Sequence, residues 1–215
     1  MSPIPRIATL LSQRNAQHVA RFDKAKAKPL GLALKTAIVT CMDSRINVFD
    51  MLGVDEGDVH IIRTAGGRIQ DAIRSLVISQ TQIGLNEVML IQHTDCAALT
   101  FTERSLRAKL LSKSTSGHLP STAPFQISST SFLPFPEAPE GHAHTHEHEA
   151  RLQESVKWDV DWLRTNPMFD SRTEVTGWIY EVETGQLREV DTTGSQSKKD
   201  ISSEPTLPET PPASP

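Results

Sequence analysis

Three residues of this sequence have the types and positions of metal ligands: Cys41, His93 and Cys96. The two cysteines are the only ones in the chain, and each comes soon after a short β-branched and aliphatic run that predicts a buried strand. Thiolate and imidazole groups are ligands that zinc prefers, and three protein ligands leave the fourth tetrahedral position open for chemistry. The sequence therefore predicts a catalytic zinc site that holds one ion per chain.

The same three residues also have a plainer explanation. Free cysteine is common in protein cores, and a histidine beside a strand can be a core residue with its hydrogen bonds satisfied. We favour the metal site because both cysteines fall at predicted strand ends and because an aspartate and an arginine follow the first one. The spacing also differs from that of zinc fingers and ribbons, which bring four ligands together in two close pairs.

Asp43 and Arg45 lie two positions apart, so their side chains point the same way if the segment is extended. A guanidinium keeps a neighbouring carboxylate ionised and fixed in direction. On an ordinary surface such a pair contributes little to stability. Close to a zinc ligand, it predicts a carboxylate that is oriented for hydrogen bonding at the metal. For Asp95, between His93 and Cys96, the sequence leaves open whether the side chain faces the site or solvent.

Strand patterns alternate with helical patterns along most of the chain. Nearly continuous apolar strands separated by helices predict an α/β fold, with a central, mainly parallel β-sheet that is flanked by helices. Ligands of such sheets bind at the carboxyl ends of the strands. Both cysteines fall there, as do Gly66 and Gly67, in a turn that favours glycine at positive φ. The predicted strands span residues 36–40, 59–63, 87–92, 175–182 and 187–190, and the predicted helices 46–52, 71–83 and 155–164.

The composition divides the chain into one domain, residues 1–190, and a tail, residues 191–215. The domain includes an N-terminal helical arm, residues 1–28, and a Ser/Pro/His-rich excursion, residues 112–150. The tail is rich in Ser, Thr and Pro and predicts disorder, because it cannot bury enough apolar surface. Alternating histidines in the excursion could bind a metal, although we favour a solvated loop; they are His142, His144, His146 and His148.

Net charge, the length of apolar runs and the cysteine count exclude several classes of function. The net charge of −4 over 215 residues predicts no nucleic-acid partner, and no apolar run has the roughly 18 residues of a membrane span. Two cysteines fit a reducing compartment, so we expect a cytoplasmic protein. The alternative is a mitochondrial one, because residues 1–22 contain arginines and no acid. We favour a helix of the mature protein with one apolar face: Ile7, Leu10, Leu11, Val19 and Phe22.

The motifs Cys41-x-Asp43-x-Arg45 and His93-x-x-Cys96 together resemble the β-class carbonic anhydrases. The likeness covers roughly residues 7–190 and looks closest to the short microbial, archaeal-type branch of the family. One departure is Ala97, where the family usually has glycine. If that position needs a positive φ, alanine costs about 1 kcal/mol. Further similar segments are residues 63–67, 155–167 and 177–187.

The resemblance implies reversible hydration of CO2 to bicarbonate and a proton by zinc-bound hydroxide. Asp43, held by Arg45, would accept the hydrogen bond of that hydroxide, and the backbone of Gly66 and Gly67 would line the substrate pocket. The resemblance also implies a homodimer or larger assembly in which the N-terminal helix contacts the partner.

Two alternatives to this function stay open. The family also includes hydrolases of carbonyl sulfide and carbon disulfide, which are linear molecules of nearly the same shape as CO2. The alternative of another class is a non-catalytic zinc-binding or regulatory protein. The presence of both Asp43 and Arg45 argues against it, because a merely structural zinc site does not need them.

Overall fold

A single five-stranded sheet forms the centre of the molecule. The computed structural model describes residues 7–23, 28–113 and 146–193. The strand order is β2-β1-β3-β4-β5; the first four strands are parallel and β5 is antiparallel to β4. The α/β fold with a mainly parallel sheet is thereby confirmed. The strands are β1 Thr36–Cys41, β2 Val59–Thr64, β3 Glu87–His93, β4 Glu174–Tyr180 and β5 Leu187–Glu189.

Helices cover the sheet, and two short 3-10 turns follow the strand ends. The turns span Ala65–Gly67 and Ala97–Leu99. Among the described residues, no helix combines the length and apolar character that crossing a membrane requires. The helices are α1 Ile7–Arg21, α2 Val48–Leu52, α3 Ile69–Gln82, α4 Glu103–Lys113 and α5 His146–Arg164.

The main core lies between the sheet and helices α3 and α5. Alternate residues of β1 and β3 face this core, as expected for strands whose successive side chains point to opposite faces. Helix α5 packs very closely on β4 at Gly177, where an added Cβ would lie 2.5 Å from a methyl group of Val156. A smaller cluster on the other face contains Ile38, Ile46, Val48 and Ile91 together with both cysteines.

Helix α1 packs differently from the other helices. None of its residues is buried. Its predicted apolar face is largely open to solvent, since the exposed fraction is 65% for Ile7, 53% for Leu11 and 62% for Val19. The predicted helix is confirmed, and the described part of the chain leaves its apolar face uncovered.

Two helices differ from the prediction. Helix α5 begins at His146 and not at residue 155, so the last residues of the predicted excursion are helical. Their His/Glu composition has no apolar periodicity, so the sequence predicts a loop for these residues. Helix α4 was not predicted, because its sequence is polar around most of its circumference. Residues 114–145, which include His142 and His144, and residues 194–215 of the predicted tail lie outside the described residues.

Candidate metal centre

The topology of the sheet brings the three predicted ligands together. Strands β1 and β3 are parallel neighbours, so their carboxyl ends meet at one edge of the sheet. Cys41 and His93 are the last residues of these strands, and Cys96 lies in the turn that follows β3. All three side chains are buried, and one ligand atom from each lies within 4.8 Å of the others.

The two sulfur atoms fit a shared metal ion. The Cys41 and Cys96 Sγ atoms are 4.0 Å apart, well beyond the ~2.05 Å of a disulfide. Two thiolates on a tetrahedral zinc ion, each at ~2.3 Å from it, lie about 3.8 Å apart. The hydrogen bond with Cys96 lowers the pKa of Cys41 below its usual range, and the same contact raises the pKa of Cys96. One proton between two sulfurs is the arrangement that a metal ion would displace.

His93 supplies the clearest sign that the cluster fits a metal. Its side chain is 0% exposed. Nδ1 lies 2.8 Å from the carbonyl oxygen of Thr94, and because a carbonyl only accepts, Nδ1 carries the proton. The lone pair is therefore on Nε2, which is buried and has no hydrogen-bond partner among the described residues. A buried acceptor without a partner costs free energy, and a metal ion at this position would remove that cost.

The Asp43 carboxylate lies beside this cluster and is held by Arg45. Asp43 Oδ1 accepts hydrogen bonds from the backbone N–H of Arg45 at 2.9 Å and from its Nε at 3.0 Å. Asp43 Oδ2 accepts from Arg45 Nη2 at 2.8 Å and lies 3.9 Å from Nε2 of His93. The Arg45 guanidinium holds the pKa of Asp43 well below its usual range. Asp43 is thus an ionised, oriented acceptor at the edge of the cluster.

Asp95 contacts Arg45 while its side chain stays 43% exposed, so both orientations that the sequence left open are met in part. Its Oδ2 accepts a hydrogen bond from Arg45 Nη1 at 2.7 Å, and its carbonyl oxygen accepts from Arg45 Nη2 at 2.9 Å. Arg45 therefore joins the loop after β1 to the loop after β3. No pattern in the sequence could have found this contact, because a lone acid next to a ligand points outward as often as inward.

The glycine turn packs directly on the strand ends that carry the ligands. Gly66 and Gly67 both have φ of 69°, as the turn was predicted to require. A Cβ on Gly67 would lie 3.2 Å from the backbone nitrogen of Cys41 and 3.2 Å from the carbonyl oxygen of Ile91. Only a residue without a side chain lets the turn approach this closely. That the two glycines line a substrate pocket stays a prediction.

Two further residues define the site. Ala97 lies in a 3-10 turn and is not among the residues with positive φ, so the strain expected from replacing glycine does not arise. Arg63, noted in the sequence only as part of a motif, donates from Nε to the carbonyl oxygen of Cys41 at 2.9 Å and from Nη2 to that of Asp43. It therefore fixes the backbone that leads from the first cysteine to the aspartate.

Comparison with known proteins agrees with this geometry. A family model described as carbonic anhydrase matches residues 36–187. The chain is 34% identical over 163 residues to β-carbonic anhydrase 1 of Mycobacterium tuberculosis, covering 75% of this chain and 85% of the relative. It is also 34% identical over 157 residues to a carbon disulfide hydrolase of an Acidianus species, covering 70% and 74%.

Solved structures agree in fold as well as in sequence. A carbonic anhydrase from Glaciozyma antarctica superposes with a TM-score of 0.68 at 38% identity, covering 83% of this chain and 94% of that one. A carbonic anhydrase from Streptococcus mutans gives a TM-score of 0.67 at 33% identity, with 88% and 99% covered. The chain therefore belongs to the β-carbonic anhydrase family.

Proposed function

We propose that this protein is a zinc-dependent carbonic anhydrase that converts CO2 and water reversibly into bicarbonate and a proton. The observation that carries the proposal is the position of the Asp43–Arg45 pair. An ionised carboxylate is held by three hydrogen bonds with one oxygen 3.9 Å from the orphaned Nε2 of His93. A zinc site that served only to hold the fold would have no use for such a carboxylate.

Cys41, His93 and Cys96 would hold the metal, since their ligand atoms already lie within 4.8 Å of one another. A zinc ion bound there would lower the pKa of a water molecule and so supply a nucleophile near neutral pH. Burial of all three side chains keeps solvent and competing donors away from the ligand atoms. The hydrogen bond from Nδ1 of His93 to Thr94 fixes the ring so that Nε2 faces the sulfurs.

Asp43 would orient the reacting oxygen. An ionised carboxylate can only accept hydrogen bonds, so Asp43 selects an O–H group pointing toward it and leaves the oxygen lone pair free for CO2. Arg45 keeps Asp43 ionised and fixed, which reduces the freedom lost on reaching the transition state. Arg63 holds the carbonyl oxygens on both sides of Met42 and so fixes the backbone of the same segment.

A second candidate is hydrolysis of carbon disulfide or carbonyl sulfide at the same site. It is favoured by the 34% identity to the Acidianus carbon disulfide hydrolase, which equals the identity to the mycobacterial carbonic anhydrase. Both reactions need the same nucleophile and the same oriented carboxylate. The difference would lie in access and in the apolar character of the path to the metal.

One sample can separate the two candidates. Zinc-loaded protein is assayed for CO2 hydration by stopped flow, and the same preparation is assayed for sulfide release from carbon disulfide and carbonyl sulfide. We expect CO2 hydration to be the fastest of the three. Sulfide release without measurable CO2 hydration would replace the first candidate with the second. The absence of all three activities in a fully zinc-loaded sample would favour a non-catalytic protein.

We also propose that the protein is a homodimer or a larger assembly of identical chains. The support is helix α1, whose apolar residues Ile7, Leu11 and Val19 are all more than half exposed within a single chain. A second copy would bury this face. Light scattering of the full chain checks the proposal, and replacing Leu11 and Val19 with serine should shift the assembly toward monomer.

A further inference from the structure

The hydrogen bonds of Arg45 divide between two loops. Three go to Asp43 on its own loop, from the backbone N–H, Nε and Nη2. The other two go to Asp95 in the loop that follows His93 and leads to Cys96, called the ligand loop below, at 2.7 Å to Oδ2 and 2.9 Å to the carbonyl oxygen. The Arg45 guanidinium thus links the loop that contains Asp43 to the ligand loop that contains Asp95.

The backbone of Asp95 is strained in a way that its neighbours are not. Its φ is +50°, and among the described residues only one other non-glycine residue, Lys35, has a positive φ. An L-residue in this region costs on the order of 1–2 kcal/mol, less for aspartate and asparagine than for most others. Glycine would fit the backbone without strain. The backbone therefore does not by itself require aspartate here, and the contact with Arg45 gives its carboxylate a use.

Stability does not supply that use. The side chains of Arg45 and Asp95 are 44% and 43% exposed, and ion pairs this exposed contribute little to folding. A second aspartate–arginine pair of the same kind forms elsewhere in this chain without a contact like that of Asp95. Asp170 and Arg172 make the same three hydrogen bonds, from N, Nε and Nη2, with the arginine side chain 88% exposed. Asp95 therefore fixes the position of the Asp43–Arg45 pair relative to the ligand loop.

The position of Asp43 relative to the ligand loop decides whether its carboxylate binds the metal or accepts a hydrogen bond beside it. A carboxylate is itself a zinc ligand, and Asp43 Oδ2 lies only 3.9 Å from Nε2 of His93. Without Asp95, the pair would be held only by its own loop and by the contacts of Arg63 with the backbone, and a small shift would bring Asp43 to the metal position. With Asp95 in place, Asp43 stays beside that position as a hydrogen-bond acceptor.

We propose that Asp95 is a positioning residue that anchors Arg45 to the ligand loop and thereby keeps Asp43 out of the metal's open coordination position. The inference rests on the proposed zinc site but does not require that CO2 is the substrate. It assigns a role to the exposed acid between the two ligands of the second loop.

Two variants and a probe anion test the proposal. Asp95→Gly removes the carboxylate and fits the φ of +50°, whereas Asp95→Asn keeps the size and tolerates the backbone but loses the charge. Each protein is loaded with cobalt(II) in place of zinc, and thiocyanate binding at the open position is followed by visible absorption. Glu56→Gln, an exposed position in the turn before β2 and so at the amino ends of the parallel strands, away from the site, controls for the loss of one negative charge.

We expect both Asp95 variants to bind one metal ion per chain and to bind thiocyanate on the order of tenfold more weakly, which is the strength of one charge-assisted hydrogen bond. The direction is diagnostic, because removing a nearby negative charge would by itself strengthen anion binding. Adding Asp43→Ala to Asp95→Gly should restore thiocyanate affinity and the cobalt spectrum to those of Asp43→Ala alone.

The proposal is overturned if either Asp95 variant binds thiocyanate as tightly as the wild type. It is equally overturned if the double variant stays weak, since Asp43 would then not be the group that closes the site, or if the variants lose the metal. These results are independent of the substrate. A sample that shows the expected thiocyanate pattern but no CO2 hydration would contradict the proposed function and leave the role of Asp95 standing.

Discussion

The tripeptide Asp-Ser-Arg occurs twice in this chain, at residues 43–45 and 170–172, and folds the same way both times. In each copy the aspartate accepts hydrogen bonds from the arginine backbone N–H at 2.9 Å and from its Nε at 3.0 Å. In each copy the pKa of the aspartate is lowered, chiefly by the hydrogen bonds of the arginine side chain. The same geometry thus forms in two different surroundings, which indicates that the local sequence favours it.

The surroundings of the two copies differ. Arg172 is 88% exposed, and Asp170 lies in the loop that leads to β4. Asp43 is only 16% exposed, and its partner Arg45 also donates a hydrogen bond to Asp95. The tripeptide thus orients a carboxylate in both settings, and only the copy at Asp43 lies beside the predicted ligands Cys41 and His93.

A third pair, Arg68 and Asp159, extends the contrast into the core. Its nitrogen and oxygen are also 2.8 Å apart, but the side chains are 3% and 0% exposed. Burial lowers the pKa of Arg68 to about 10 and raises that of Asp159 to about 6. Asp159 also accepts from the backbone N–H of Ile69 and from Gln92. This pair joins α5 to the start of α3 and the end of β3, so its role is to hold elements together.

The largest expected effect is loss of the metal itself. Cys41→Ser or Cys96→Ser replaces a thiolate ligand by a hydroxyl, which does not ionise at neutral pH and binds zinc poorly. We expect metal analysis of the purified variants to show most of the one zinc per chain gone, and CO2 hydration to be lost with it. Full zinc occupancy in both variants would place the metal elsewhere in the chain.

Asp159→Ala should destabilise the fold by about 3–5 kcal/mol, because it leaves Arg68 buried without its counter-ion. Urea unfolding of the zinc-loaded protein measures this change. Glu154→Ala, an exposed position on the same helix, is the control and should stay within about 0.5 kcal/mol of the wild type. If the two variants were equally stable, the buried pair would have no structural role.

Arg45→Lys tests the hydrogen bonds that hold Asp43, and it is a milder substitution than removing either residue. Lysine keeps the charge but cannot make the forked contacts with Asp43 and Asp95 together. We expect kcat/KM for CO2 to fall about tenfold, the value of one charge-assisted hydrogen bond, with full zinc. Arg172→Lys makes the same substitution in the second tripeptide and should leave kcat/KM unchanged. Equal kcat/KM values for the two variants would erase the distinction between the two copies.

The smallest effect is expected from the histidine-rich excursion and from the tail. Replacing His142, His144, His146 and His148 with serine should leave the tight zinc and the rate of CO2 hydration unchanged. Removing residues 194–215 should do the same, because their composition cannot support a core. Metal analysis after dialysis against a weak chelator checks both variants. A loss of tight zinc in the four-serine protein would bring these histidines into the site.

Sequence patterns predicted the parts of the site that depend on residue type and strand ends. The predicted ligands Cys41, His93 and Cys96 and the Asp43–Arg45 pair follow from such patterns, and the parallel sheet follows from apolar runs that alternate with helical ones. The contact of Asp95 with Arg45 and the pairing of Arg68 with Asp159 join segments far apart in the chain. Such contacts depend on how loops and helices pack, and no local periodicity encodes them.

We expect Asp43 to serve the chemistry and Asp170, in the same tripeptide, to have no part in it. The direct test compares kcat/KM for CO2 hydration in zinc-loaded Asp43→Ala and Asp170→Ala by stopped flow, with zinc content and unfolding midpoint measured on the same samples. We expect Asp43→Ala to keep its zinc and its stability but to lose about a hundredfold in kcat/KM, as for other lost orienting contacts. Asp170→Ala should match the wild type. Asp43→Ala protein with full zinc and wild-type kcat/KM would contradict a role of Asp43 in the reaction.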